Sequence, residues 1–488
     1  MLVCRTRSVG EPTVAELAQQ TQQDYLGSLV HQHCPLSAIQ GGAGLSGSPL
    51  FNTILSIQRS ASGRPEETGI TLNSISSHDP TEYDLTVNIK HDSSSKQILL
   101  LLGHYTHKIP EWQASNVANT LEATLSAMLN GAEERAGDLD IFSKSDRTQV
   151  AQWNSGYPQH LEECVDSLFA KRAALVPDME AVSAWDATFT YAALDRITSR
   201  LATKLSNMGV QPGSFIPTCF EKSAYAVVAF MSILKARAAC VHMDPSHPAS
   251  RHETILTDIQ AQLVLTSEAN HGQFKALGAR SLIVGPTLVQ ELEGQADETP
   301  ARKVQLHRSS SSPAFVIYTS GSSGTPKGVV LEHGSVCTSI EAHGSALNIT
   351  TGTRVLQFAA FGFDISIQDI FTSLTRGACV CIPSEQERVN NLAAAIQRLQ
   401  ANWACLTPTV AGLLSPSEAP SLKVLTLAGE AATHKVVAAW SAAGLDGFFN
   451  CYGPAECTIY CSSAKDLGQG RVGLRPISAM LSPVLSGS

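Results

Sequence analysis

From about residue 160 onward, short apolar runs of strand length alternate with longer stretches of helical periodicity, and this alternation restricts the fold more than any other feature. A strand apolar on both faces must be covered on both. A chain that alternates in this way therefore builds a largely parallel sheet under helices. Strand candidates are Ala314 to Tyr318, Arg354 to Ala359, Ala378 to Ile382, Trp403 to Leu406 and Leu422 to Leu427. Thr190 is placed to cap a helix in which Leu194, Ile197, Leu201 and Leu205 recur on one face, and Gly209 supplies its stop. The earlier residues form an α/β segment of their own. Pro12 to Val30 has helical character, Leu50 to Ile57 and Gln97 to Leu102 look like strands, Tyr83 to Ile89 alternates at period two, and Trp112 to Leu129 is an amphipathic helix. A polar stretch from Gly131 to Asp146 serves as a linker.

Composition removes several function classes. Hydrophobic residues make up 43% and charged residues 16% of the 488, ordinary for a globular enzyme. The net charge of −9, with no basic stripe, argues against nucleic acid as a partner. The longest apolar run, Tyr225 to Leu234, is too short to cross a bilayer and is bracketed by Lys222 and Lys235. No membrane partner is expected, no secretory signal follows Met1, and the expected location is cytoplasmic. The twelve cysteines show no zinc-ligand or disulfide spacing and read as small buried hydrophobes. Gly42-Ala43-Gly44-Leu45-Ser46-Gly47 fits a dinucleotide fingerprint by letter, but Ser48-Pro49 and a strand-like run follow it where a helix is needed.

The segment Phe315 to Val330 carries the chemistry. An apolar strand runs into Tyr318-Thr319-Ser320-Gly321-Ser322-Ser323-Gly324-Thr325-Pro326-Lys327-Gly328, then into a second apolar run. Glycines let backbone approach a polyphosphate closely, and hydroxyls and amides donate to its oxygens. The Gly-Lys-Ser/Thr ending of a Walker loop is absent.

That loop resembles the signature of the adenylate-forming superfamily, and three further blocks follow the family's order. Leu234 to Pro245 is similar to its second core motif, with Arg237 where glycine is usual. Phe363-Asp364-Ile365-Ser366 resembles the start of its substrate pocket. Asn450-Cys451-Tyr452-Gly453-Pro454-Ala455-Glu456 resembles its Asn-x-Tyr-Gly-Pro-Thr-Glu block, with Ala455 for Thr. The resemblance implies attack of a carboxylate on the α-phosphorus of ATP to give an acyl-adenylate and pyrophosphate. By the same resemblance Thr319, Ser320, Gly321, Ser322, Ser323, Gly324 and Thr325 hold phosphates. Lys327 and Glu456 are the catalytic pair, with Glu456 also on Mg2+. Tyr452 stacks on adenine and Asn450 bonds its amino edge.

Asp364 bears on the substrate class. An acid in the apolar stretch Phe361 to Ile367 is costly unless paired. In amino-acid-activating relatives it meets the substrate ammonium; as a plain structural residue it would cap the helix beginning at Ile365. The same resemblance puts Ile365, Gln368, Cys405, Thr426, Ala428, Cys451, Ile459 and Tyr460 in the pocket wall. Tyr25 with His31 and His33, Leu50 to Thr53 and Tyr83 to Val87 resemble the C-terminal half of a condensation domain of fungal type, without its His-His-x-x-x-Asp-Gly motif.

The expected organisation is a half condensation-like domain over 1–135, a linker over 136–160, and over 161–488 the large N-terminal core of an adenylation (AMP-binding) domain. Its fold class is α/β, layered sheets with helices. The expected function is amino-acid adenylation in nonribosomal peptide synthesis. ATP and an amino acid are the small-molecule partners, and carrier and condensation domains of a larger synthetase the protein ones. Val472 to Ile477 resembles the next family block; the small C-terminal lid and a phosphopantetheine carrier domain are not found in the sequence. Without the lid, that adenylation is expected to be impaired; a catalytically inactive fragment that only binds nucleotide or proteins, and an acyl-CoA synthetase-like ligase, are the alternatives left open.

Overall fold

Strands and helices alternate through the second half of the chain as the apolar periodicity requires, and the strands sort into two sheets. The computed structural model describes residues 12–45, 50–60, 83–92, 97–155, 158–295, 309–320, 326–465 and 474–476. They fall into two units, 1–155 and 156–488.

In the first unit β1 (Thr53–Ser60) pairs parallel with β2 (Leu85–Asp92), which pairs antiparallel with β3 (Gln97–His104). Helix Val14–Ser28 opens on a reciprocal cap. The Glu16 amide donates to the Thr13 hydroxyl (3.2 Å), and the Thr13 amide donates to the Glu16 carboxylate (2.9 Å). Helix Glu111–Asn130 follows the strands. The stretch expected to be a linker contains helix Lys144–Trp153, because Ser143 caps the Asp146 amide at 3.0 Å. Val14, Val87 and Ala114 are the buried apolar side chains of this unit among the described residues.

In the second unit one sheet has the order β11-β10-β7-β6-β8-β9. Its strands are β6 (Phe215–Cys219), β7 (Ala239–Met243), β8 (Val264–Thr266), β9 (Ser281–Ile283), β10 (Pro313–Ser320) and β11 (Pro326–Glu332). All its pairs are parallel except β10 with β11. The other sheet contains β4 (Glu180–Ala184), β5 (Thr188–Thr190), β12 (Arg354–Leu356), β13 (Cys379–Ile382), β14 (Trp403–Leu406), β15 (Val424–Leu427), β16 (Gly447–Tyr452), β17 (Ser462–Lys465) and β18 (Leu474–Pro476). Its order is β18-β17-β16-β15-β14-β12-β13-β4-β5, parallel from β16 to β4 and antiparallel at both ends. β13, β14 and β15 are buried at every position, as a sheet covered on both faces demands.

Helix Ala224–Lys235, the run too short for a membrane, is buried from Ala226 through Leu234 and crosses the protein core instead. No described helix is long and apolar enough to cross a membrane. Two strands are shorter than their apolar runs by two residues or more, and β13 by one. β12 stops at Leu356 because the Ala359 carbonyl accepts from Gln357 Nε2 (2.7 Å) and from Lys222. β15 starts at Val424 because the Leu422 amide closes a turn on the Ala419 carbonyl (3.1 Å). Arg237, found where glycine is usual, has φ of 63°. It follows the cap of helix Ala224–Lys235, where a left-handed residue ends the helix and a Cβ is a burden.

Candidate functional site

In the parallel part of the large sheet, Trp403 and Cys405 of β14, Val424 of β15 with Ala428 just beyond it, and Phe449 and Cys451 of β16 join one core, while the alternate residues Ala404, Leu406, Leu425, Leu427 and Phe448 join another. Thr426 alternates with Leu425 and Leu427, and is in register with Cys405 and Phe449, which puts it on the first face. Cys405, Thr426, Asn450, Cys451 and Tyr452 all stand at the C-terminal ends of these strands, where open α/β sheets bind ligands.

On that same core lies the segment from Asp364 to Arg376. It begins as helix Ile365–Ile367, widens into a π-helical turn over Gln368–Thr372, and returns to α-helix at Ser373–Arg376. Such widened turns recur at functional sites because they turn extra side chains inward. Here Gln368 and Asp369 are both fully buried.

Asp364 does not cap the helix. Its φ of −61° and ψ of −26° are already helical, and its side chain makes no capping bond. Its Oδ2 is closed off from solvent without a hydrogen-bond partner. Burial pushes the carboxyl up to about 7 and Glu456 adds to this, while the amides of Ile365, Asp364 and Ile459 pull it back. Gln368 Oε1 and Thr426 Oγ1 are likewise buried without partners.

Opposite this segment, residues 453–460 fold back tightly. A Cβ on Gly453 would stand 2.3 Å from the Ile459 carbonyl oxygen, so only glycine fits. Thr458 and Ile459 have φ of 58° and 80°, left-handed values that strain β-branched residues. The Ser339 hydroxyl donates to the Thr458 carbonyl at 2.7 Å, and Ser339, His343 and Thr372 form a buried hydrogen-bonded chain behind it. Burial drives the His343 imidazole down to about 3, so it stays neutral there. The Tyr460 hydroxyl meets Cys405 Sγ at 3.2 Å.

Tyr452 ends β16 and is 67% exposed, and Asn450 is half-buried two residues before it. Glu456 is half-buried in the turn Ala455–Cys457, against which β11 packs. β11 carries the exposed Lys327, in register with Thr319 of β10, whose hydroxyl donates to the Lys327 carbonyl at 3.5 Å. Gly321, Ser322, Ser323, Gly324 and Thr325, with the Ser320 side chain, lie outside the described residues, as do Val472 and Gly473 of the last block.

Three residues escaped the sequence reading. Lys222, buried, donates to Gln357 Oε1 (2.6 Å) and to the Ala359 carbonyl, and its ammonium lies 4.5 Å over the Phe361 ring. Asp369 balances it. Burial drives the lysine down and the acid up, and their mutual attraction opposes both shifts. An acid in an apolar run marked Asp369 as clearly as Asp364; Lys222 and Gln357 had no comparable signal.

A family model described as AMP-binding enzyme matches residues 169–480. This chain belongs to that family. It is 36% identical, over 96% of its length, to Nonribosomal peptide synthetase 4 of Gibberella zeae, of which it spans 6%. To Nonribosomal peptide synthetase resC of Aspergillus sclerotiorum it is 45% identical over 71% of its length, spanning 27% of that protein. Among solved structures, a four-domain nonribosomal peptide synthetase, holo-AB3403 bound to AMP and glycine, matches 96% of this chain and 36% of its own, with a TM-score of 0.76 at 22% identity. The N-terminal subdomain of Klebsiella oxytoca NpsA, in complex with 3-hydroxyanthranilyl-AMSN, matches 62% of this chain and 75% of its own, with a TM-score of 0.54 at 21% identity. The layered α/β architecture of this AMP-binding chain is thus that of nonribosomal peptide synthetase adenylation domains.

Proposed function

We propose that the chain activates an amino acid as its adenylate, releasing pyrophosphate from ATP, within a nonribosomal peptide synthetase. The observation that carries this reading is the sealed, unpartnered Oδ2 of Asp364. A carboxylate buried without a partner is costly, and a substrate α-ammonium removes that cost while fixing the amino acid's orientation. A fatty acid brings no such cation, so an acyl-CoA synthetase-like role leaves the atom unexplained.

The other groups fit the same chemistry. ATP supplies the activated phosphoryl group; Tyr452 offers an exposed ring face for adenine, and Asn450 beside it a polar edge. Glu456, half-buried beside the strand of Lys327, is a hard oxygen donor suited to Mg2+. Lys327, exposed on β11, offers a cation suited to the negative charge that gathers on a leaving pyrophosphate. The NpsA subdomain bound to 3-hydroxyanthranilyl-AMSN supports the view that a core of this kind holds an adenylate analogue. For the first unit, the reading is the C-terminal half of a condensation domain, with carrier and condensation domains as partners.

ATP–pyrophosphate exchange with an amino-acid panel and with fatty acids, alongside calorimetric binding of aminoacyl sulfamoyl adenosines, tests the reading. Amino acids should support exchange or their analogues should bind, and Asp364→Ala should abolish both. Exchange driven by fatty acids and indifferent to Asp364→Ala would replace it with the acyl-CoA reading.

A further inference from the structure

Three pocket atoms lack partners, and only one of them is accounted for by an α-ammonium. Gln368 Oε1 and Thr426 Oγ1 are as fully buried as the apolar core, each on a residue with no measurable exposure. A buried polar atom left unpaired costs about 1–3 kcal/mol, so two of them at one site call for a ligand.

The chemistry of each atom is fixed by its neighbours. Gln368 Nε2 donates to Asp369 Oδ1 at 3.4 Å, which leaves Oε1 as the free end of the amide, an acceptor in need of a donor. The amide cannot be reversed without setting its oxygen against the carboxylate. Asp369 is in turn held by the Lys222 charge and by the Ala359 amide (3.4 Å). The Thr426 hydroxyl is able both to donate and to accept. Cys405, in register with Thr426, feels the charges of Asp364 and Asp369 and shares one core with Cys451, so these groups are neighbours. Ile365, Ala428, Ile459 and the Cys405–Tyr460 pair, whose hydroxyl and thiol meet at 3.2 Å, pack in the same core. Asp369 is balanced by Lys222, so once Asp364 meets the α-ammonium no charge is left over for an ionised side chain.

Resting on the activation reading above, we infer that the substrate is an amino acid whose side chain carries a neutral hydrogen-bonding group, a hydroxyl or a carboxamide. Its O–H or N–H donates to Gln368 Oε1, and its oxygen accepts a hydrogen bond from the Thr426 hydroxyl. Aliphatic isosteres leave both atoms orphaned. Sites built to bond a substrate hydroxyl or N–H reject the analogue lacking it by large factors, about 10⁴ in favourable cases.

The test is calorimetric binding of aminoacyl sulfamoyl adenosines to the whole chain in near-isosteric pairs: threonine against valine, asparagine against leucine, tyrosine against phenylalanine. Lysine and glutamate analogues represent charged side chains. One polar member is expected to bind at least about 100-fold more tightly than its apolar twin, and Gln368→Leu to cut that ratio to within about threefold. Thr426→Val, a nearly isosteric change, should lower it about tenfold and keeps the test open if Gln368→Leu does not fold. Tighter binding of the apolar twin, equal binding, or preference for a charged side chain would overturn the inference while leaving amino-acid activation intact. Failure of every analogue to bind would overturn activation itself, and this inference with it.

Discussion

Leu55 and Ile57 of β1 and Leu99 and Leu101 of β3 are exposed in the first unit, whereas β13, β14 and β15 of the second are buried at every position. Both regions carry apolar strands and amphipathic helices. The difference is cover: a sheet holds its apolar faces only when another layer lies on each. The second unit supplies both layers from its own sequence. The described part of the first contributes few buried side chains, Val14, Val87 and Ala114 among them, so its apolar strand faces are surface.

The contrast breaks if core substitutions in the two units cost the same. Trp403, fully buried with its indole N–H donating to the Leu347 carbonyl at 2.9 Å, should cost about 3–5 kcal/mol on Trp403→Ala in urea unfolding. Lys222→Met should cost a similar 3–5 kcal/mol by stranding Asp369, and adding Asp369→Leu should recover most of it. A double mutant as unstable as the single one would mean that the pair itself, and not its imbalance, holds the core.

A smaller effect has the opposite sign. Asp364 rises from 3.8 to about 7 on folding, so the unfolded chain ionises it first and stability falls as pH rises through that window. Ligand-free Asp364→Asn should therefore be more stable than the parent by about 1–3 kcal/mol at pH 8, with the gap closing below pH 4. Equal melting temperatures at pH 8 would remove the idea that this acid is held at a cost for binding. Arg237→Gly should stabilise by about 0.5–1 kcal/mol, since glycine accepts the left-handed backbone. Least of all, Leu99→Ser in the first unit should move stability by no more than about 0.5 kcal/mol. A loss of 2 kcal/mol there would show that this strand face is covered after all.

The strand–helix alternation was legible because buried parallel strands are apolar throughout; Trp403 to Leu406 was read to the residue. Ends were less legible where side chains intervene, as at Ala359, whose carbonyl serves Lys222 and Gln357 rather than a neighbouring strand. Cys405, Thr426 and Tyr460 were grouped only through family resemblance, since they meet from three segments that spacing cannot join. Sequence could not separate a capping Asp364 from a ligand-facing one. Its helical backbone and the missing capping bond remove the cap, and its Oδ2 stays without a partner. Arg237 was noticed as a departure from pattern, and its φ supplies the physical reason the pattern favours glycine.

The fold-back at Gly453 has a mechanical consequence. With Gly453 pressed against Ile459, and Thr458 anchored by Ser339, the intervening loop is held at both ends. Glu456 rides on that piece, and so does the Ile459 amide that steadies Asp364. The carboxylate of Glu456 and the amide that Asp364 leans on are thus carried by one short, tethered span of backbone, as two pegs on the same rail.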